Sequence, residues 1–184
     1  MKKVLFIIGS LREKSFNRQL AETIAASFSE VVYSFLDYSD IPFMNQDREY
    51  PVPEAVQRVR DAVKEADVLW VFTPEYNASY PGVLKNLFDW LSRPIDPMDR
   101  KSPNAVNGKP VMISSVAGKS AGMHARELLA DLLRKMGAVL VAEKGFGHAL
   151  GKEEFQSDQL RLTADEKMEL AMEANRMILG LNGF

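Results

Sequence analysis

The chain has 184 residues, enough for one domain with a substantial core. Hydrophobic residues make up 46% and charged residues 26%, an ordinary soluble balance, and a net charge of −2 argues against a general nucleic-acid surface. Cysteine is absent, which excludes disulfides, thiol catalysis and Cys-ligated metal and fits a cytoplasmic protein.

The N-terminus, Met1-Lys2-Lys3-Val4-Leu5-Phe6-Ile7-Ile8, has the charge of a signal peptide, but its apolar core is too short. Arg12, Glu13 and Lys14 stand where a small-residue cleavage site would lie, so the run reads as strand 1, Lys3 to Ile8. No apolar run approaches the roughly 20 residues of a bilayer span, and no membrane partner is expected. Leu20, Ile24 and Phe28, spaced by four, predict helix 1 over Asn17 to Phe28. Strand 2 follows at Val31 to Leu36, then a Pro-punctuated loop from Asp37 to Pro53. Helix 2 runs from Glu54 to Ala66 with Val56, Val59 and Val63 inward, and strand 3 is the apolar run Val68 to Phe72. Helix 3 runs from Pro81 to Ser92, with proline in its first turn, where a missing N–H costs nothing. A polar loop from Pro94 to Pro110 precedes strand 4, Val111 to Val116. Helix 4, Met123 to Met136, ends at Gly137 as its C-cap, and strand 5 covers Ala138 to Glu143. The last helix, Ala164 to Leu181, opens on a capping box of Thr163 and Glu166.

Strands 1, 3 and 4 are unbroken apolar runs, the pattern of a parallel sheet covered on both faces. Five βα units predict a single α/β domain over residues 1–184: a flavodoxin-like three-layer sandwich with a five-stranded parallel sheet of order 2-1-3-4-5. Its switch point lies between strands 1 and 3, so a ligand should touch the loops after strands 1, 3 and 4.

The first of these loops, Gly9 to Arg18, joins a strand to a helix N-terminus, where free N–H groups and the helix dipole favour a phosphate. Ser10, Ser15 and Asn17 offer hydrogen bonds, and Arg12 or Arg18 offers charge. Leu11 and Lys14 occupy the places of the later glycines of a dinucleotide fingerprint, so a single terminal phosphate suits the loop better. The same residues also fit a plain N-cap region, with Ser15 or Asn17 capping the helix. The second loop, Thr73-Pro74-Glu75-Tyr76-Asn77-Ala78-Ser79-Tyr80-Pro81-Gly82, offers rings, amides and backbone groups to a flat, heteroatom-rich molecule. By itself it also fits a proline turn with a solvated Glu75. The third loop, Ser114 to Gly122, is small enough to pass close to a ring, or to be an ordinary connection.

Taken together, these residues resemble the NADPH-dependent FMN reductase family, a flavodoxin-like branch that includes chromate, quinone and azo-dye reductases. The resemblance rests on Gly9-Ser10-Leu11-Arg12 with Ser15 and Asn17, and on Pro74-Glu75-Tyr76-Asn77 with Ser79 and Pro81-Gly82. It continues through Leu84-Lys85-Asn86, Asp89-Trp90, Ser92-Arg93-Pro94 and Gly108-Lys109-Pro110-Val111, covering roughly residues 1 to 145. It implies an FMN cofactor whose phosphate is held by Ser10, Arg12, Ser15 and Asn17. Pro74, Glu75, Tyr76 and Asn77 would line the flavin ring, and the Ser115 to Gly118 loop would close its other side. The chain departs from the family pattern at Lys119-Ser120-Ala121-Gly122, where a paired-glycine stretch is usual, and in a longer Pro94 to Pro110 loop.

The implied chemistry is hydride transfer from NADPH or NADH to flavin N5, then electron delivery to a small-molecule acceptor by a ping-pong mechanism. The alternative is a flavodoxin-like carrier without nicotinamide reactivity; such carriers are usually strongly acidic. No side-chain acid or base is required, and no catalytic residue is assigned. His124 and His148 are the only histidines, neither has an acidic or nucleophilic partner by spacing, and no ligand cluster predicts a metal. Helix 3 carries Leu84, Leu87, Phe88, Trp90 and Leu91, more than one narrow stripe, which together with the resemblance predicts a homodimer or homotetramer through this region. Lys85 and Asp89 read as an exposed i,i+4 pair. Met123, Met136, Met168, Met172 and Met177 are expected in helix packing.

Overall fold

The computed structural model describes residues 1–28 and 31–180. Its sheet is built from β1 (Lys2–Ile8), β2 (Val31–Phe35), β3 (Val68–Thr73), β4 (Pro110–Ala117), β5 (Val139–Leu140) and β6 (Gly147–Ala149). The helices are α1 (Phe16–Ala25), α2 (Glu54–Glu65), α3 (Gly82–Leu91), α4 (Met123–Lys135), α5 (Lys152–Ser157) and α6 (Ala164–Gly180). Every strand pairing is parallel, in the order β2-β1-β3-β4-β5.

Alternate residues of the central strands face opposite layers. Val4, Phe6, Ile8, Val68, Trp70, Phe72 and Met112 pack with Leu20 and Ile24 of α1 and with Leu170 and Met177 of α6. Leu5, Ile7, Leu69, Val71, Val111 and Ile113 pack with α2, α3 and α4 through Val59, Val63, Leu84, Leu87, Phe88, Leu129 and Leu133. Both faces of β1, β3 and β4 are therefore apolar, which is why these strands lack an alternating pattern. This is the expected flavodoxin-like sandwich.

The fifth strand position departs from the expectation of one strand over Ala138 to Glu143. Two short strands share it: β5 pairs with the start of β4 and β6 with its end. Between them the backbone turns at Gly145, whose φ is +62°; a Cβ there would lie 1.9 Å from the Ile113 carbonyl oxygen. Only glycine admits so close a backbone approach. Arg126 fills the gap, donating from Nε to the Lys144 carbonyl at 2.9 Å and from Nη1 to the Ala121 carbonyl at 2.6 Å. Neither β6 nor α5 was expected.

Three other expectations change. Helix α1 ends at Ala25 rather than Phe28. Of the apolar residues of α3, Leu84, Leu87, Phe88, Trp90 and Leu91 are buried inside the chain, so these five do not form the exposed edge expected for a partner. Of the methionines, Met136 and Met177 are core, whereas Met123, Met168 and Met172 are exposed, the last two lying on the face of α6 opposite Leu170, Ala174 and Met177. The capping box at α6 is present, with Glu166 N–H donating to Thr163 Oγ1 at 3.2 Å and Thr163 N–H to Glu166 Oε2 at 2.8 Å. The expected end of that helix at Leu181 lies outside the described residues.

Candidate functional site

The carboxyl ends of β1, β3 and β4 open onto one cleft of about 470 Å³, within the ordinary size of a small-molecule site. Its position follows from Gly9. The Gly9 N–H donates to the Phe72 carbonyl at 2.7 Å, drawing the loop after β1 against β3. A Cβ at Gly9 would lie 2.7 Å from Leu84 Cδ1 and 3.1 Å from that carbonyl oxygen. The buried Tyr38 hydroxyl fixes the same strand end by donating to the Ile8 carbonyl at 2.5 Å, and burial raises its pKa.

Ser10, Arg12, Ser15 and Asn17 all reach the cleft. The loop curls so that Ser15 N–H donates to the Arg12 carbonyl at 3.1 Å and Arg12 N–H to Ser10 Oγ at 3.3 Å. Ser15 stands at the N-cap of α1, yet its hydroxyl makes no capping bond. Asn17, only 2% exposed, ties α1 to β4: its Nδ2 donates to the Val116 carbonyl and its Oδ1 accepts from Val116 N–H, both at 2.9 Å. Arg12 lies over the Phe16 ring at 5.1 Å and pairs with Asp158 at 2.7 Å.

From the second loop, Pro74, Glu75 and Tyr76 line the cleft, and Tyr76 leaves 53% of its surface open to solvent. Asn77 does not line it. Tyr76 and Ser79 pair through both backbone N–H groups, and the two residues between them, Asn77 and Ala78, have φ of 53° and 57°. This is a two-residue turn of the primed kind, and asparagine is suited to the left-handed conformation it requires. Asn77 thus has a backbone part in shaping the loop. Glu75 accepts from Ser120 Oγ at 2.7 Å and from Ala125 N–H, in the first turn of α4, at 3.1 Å. Burial is the largest single influence on its carboxyl and opposes ionisation. The Ser120 and Ala125 bonds, with His124, outweigh it and hold the pKa below the ordinary value.

The third loop contributes Val116, Ala117 and Gly118. A Cβ at Gly118 would meet nothing within 4 Å, so the chain leaves space there. Ser115 is buried and turned away, bonded to the Ala121 carbonyl and to Arg126 Nη1. The remaining wall was missed in the sequence: Leu150 just after β6, Phe155 on α5 and Asp158 at the C-cap of that helix. Its organiser is His148, 5% exposed, with Nε2 2.9 Å from Glu154 and Nδ1 2.7 Å from Glu166. The histidine thus has two acidic partners that spacing did not reveal. The visible signal was Gly151 with Glu154 three residues on: the Glu154 carboxylate accepts from Gly151 N–H at 2.8 Å and starts α5.

The chain matches the family described as NADPH-dependent FMN reductase over residues 2–151. It is 36% identical over 139 residues to the quinone reductase of Escherichia coli K12, covering 71% of this chain and 70% of that protein. It is 43% identical over 93 residues to a 2-hydroxy-1,4-benzoquinone reductase of a Burkholderia species, covering 50% of this chain and 51% of the relative, so it spans about half of that protein's length. Among solved structures, the flavoenzyme NAD(P)H:(acceptor) oxidoreductase FerB of Paracoccus denitrificans superposes with a TM-score of 0.80 at 27% identity, covering 96% of this chain and 95% of that one. With its sheet order, its cleft at the switch point and this match over most of its length, the chain belongs to the NADPH-dependent FMN reductase family.

Proposed function

We propose that the protein is an FMN-dependent NAD(P)H oxidoreductase that delivers electrons to quinone, flavin, chromate, azo or nitro acceptors. The observation that carries this reading is the convergence of three separate loops, predicted as parts of one ligand site, on a single cleft. Quinones lead the acceptors because the relatives in Escherichia coli and Burkholderia are named quinone reductases.

The cleft suits a mononucleotide flavin. The uncommitted Ser15 hydroxyl, Ser10, the α1 N-terminus and Arg12 form a phosphate-type end. Leu150, Phe155 and Val116 supply apolar surface for a ring, and the space above Gly118 admits its edge. FMN bound there supplies the redox chemistry. The protein's residues position it and shape access. Pro74 and Glu75 fix one edge, with Glu75 locked by α4; Tyr76 offers a ring face at the mouth; Asn17 acts through Val116 by holding the cleft floor. The open mouth admits nicotinamide and acceptor in turn, the basis for ping-pong kinetics.

A homodimer or homotetramer through the α3 region belongs to the same reading, now supported by a different group. Pro42 and Met44 are bonded to Asn86 and Trp90 of α3, and this clamp presents Phe43 with 87% of its surface exposed. Phe43→Ser should lower the solution mass measured by light scattering. For the activity, FMN-loaded protein mixed anaerobically with NADPH should lose its oxidised flavin spectrum and regain it on adding a quinone. A flavin that stays oxidised would instead mark an electron carrier.

A further inference from the structure

The cleft is lined by one cation, Arg12, and two carboxylates, Glu75 and Asp158. Glu75 is committed to Ser120 and α4, so Asp158 is the lining carboxylate that stands with Arg12 at the phosphate-type end. Asp158 is also the residue that engages the cation, with Oδ1 2.7 Å from Arg12 Nη1. We propose that Asp158 is a specificity-determining residue: its charge opposes the phosphate of a bound flavin, so the site discriminates only weakly between FMN and unphosphorylated riboflavin. The inference rests on the flavin reading of the cleft.

The carboxylate is built into its place. Asp158 caps α5 with φ of +55°, its carbonyl accepts from Gln19 Nε2 at 3.2 Å, and Gln19 Oε1 accepts from Leu160 N–H at 2.8 Å. Gln19 lies one turn inside α1, so the helix whose N-terminus faces the phosphate end also holds an anion beside it. Asp158 lies beyond residues 2–151, the part matched to the family. Like charges a few ångströms apart at a half-exposed site repel appreciably, and the repulsion is screened by salt. Riboflavin has the same ring and ribityl chain but no phosphate, and escapes the effect.

The test is a fluorescence titration of FMN and riboflavin against wild type and Asp158→Asn at low and moderate salt. Asparagine tolerates the left-handed backbone and leaves the Gln19 bond to the main chain intact. FMN should bind on the order of tenfold tighter to the variant at low salt, the gain should shrink with added salt, and riboflavin should change by less than about twofold. In an Arg12→Gln background the same change should still tighten FMN. Weaker FMN binding, equal changes for both flavins, or no effect without Arg12 would mean that Asp158 orients the arginine instead, and would overturn the inference while leaving the flavin site standing. Failure of wild type to bind either flavin would overturn both.

Discussion

The two walls of the cleft are held by different physics. The wall formed by the loops after β1 and β3 is fixed by main-chain geometry: the Gly9 to Phe72 bond, the Tyr38 hydroxyl on Ile8 and the paired backbone of Tyr76 and Ser79, all seated on buried strands. The wall formed by residues 147 to 158 has a three-residue strand and a six-residue helix, too short to stand alone. Beyond the pairing of β6 with β4, it is held by polar side chains: His148 between Glu154 and Glu166, Glu154 on Gly151 and Arg161, and Gln19 on Asp158 and Leu160. The main-chain frame of the first wall should therefore resist pH and yield to steric insult, with Glu75 on α4 as its one acid-sensitive contact at the cleft. The second should respond to both pH and the loss of single polar groups.

The largest expected effect tests the second wall. Glu154→Ala strips partners from Gly151 N–H, Arg161 N–H and His148 at a buried position, and should cost about 3 kcal/mol in denaturant unfolding while weakening flavin binding. Unchanged stability would show that the wall needs no such anchor. For the first wall, Gly9→Ala forces a Cβ against Leu84 and the Phe72 carbonyl, and should cost about 2 kcal/mol, read as a lowered Tm.

Acid should separate the walls more gently. Burial is the largest influence on both Glu154 and Glu166 and raises their pKa values, but backbone N–H bonds and His148 outweigh it, so both lie below the ordinary 4.5. A carboxyl with a depressed folded pKa contributes stability above its unfolded value and loses it as pH falls through the folded one. Below about pH 4.5, fluorescence from a probe on α5 should thus report loosening before the near-ultraviolet signal of Trp70 in the core changes. Simultaneous loss would erase the distinction between the walls. The smallest effect belongs to Asn77→Ala, which strains the turn by about 1 kcal/mol or less and should leave FMN affinity nearly unchanged, since Asn77 does not line the cleft.

The same division decided what could be read in advance. Strands β1, β3 and β4 announce themselves because burial on both faces demands continuous apolar runs, and the loops between them then fall at the switch point by topology. The places of Ser10, Arg12, Ser15 and Pro74 at the cleft are legible because they follow from where a loop meets a helix or strand end. The second wall was not, because its logic is long-range. His148 finds Glu166 across 18 residues, and Arg126 sits in the gap that splits the fifth strand. Ser115 and Asn77 have the chemistry to meet a ring, but Ser115 is bonded to Arg126, Asn77 stands in a left-handed turn, and neither lines the cleft. Neither fact is visible without the backbone path.

We propose that one cleft, closed by both walls, holds a flavin at Gly118. Gly118→Leu places a side chain where the chain leaves nothing within 4 Å, so the fold has no reason to change. A titration of FMN into wild type and this variant, followed by flavin fluorescence at matched Tm, measures the claim directly. FMN should bind wild type and lose at least about tenfold in affinity in the variant, as a filled subsite requires. Equal affinity in two equally stable proteins would contradict the site.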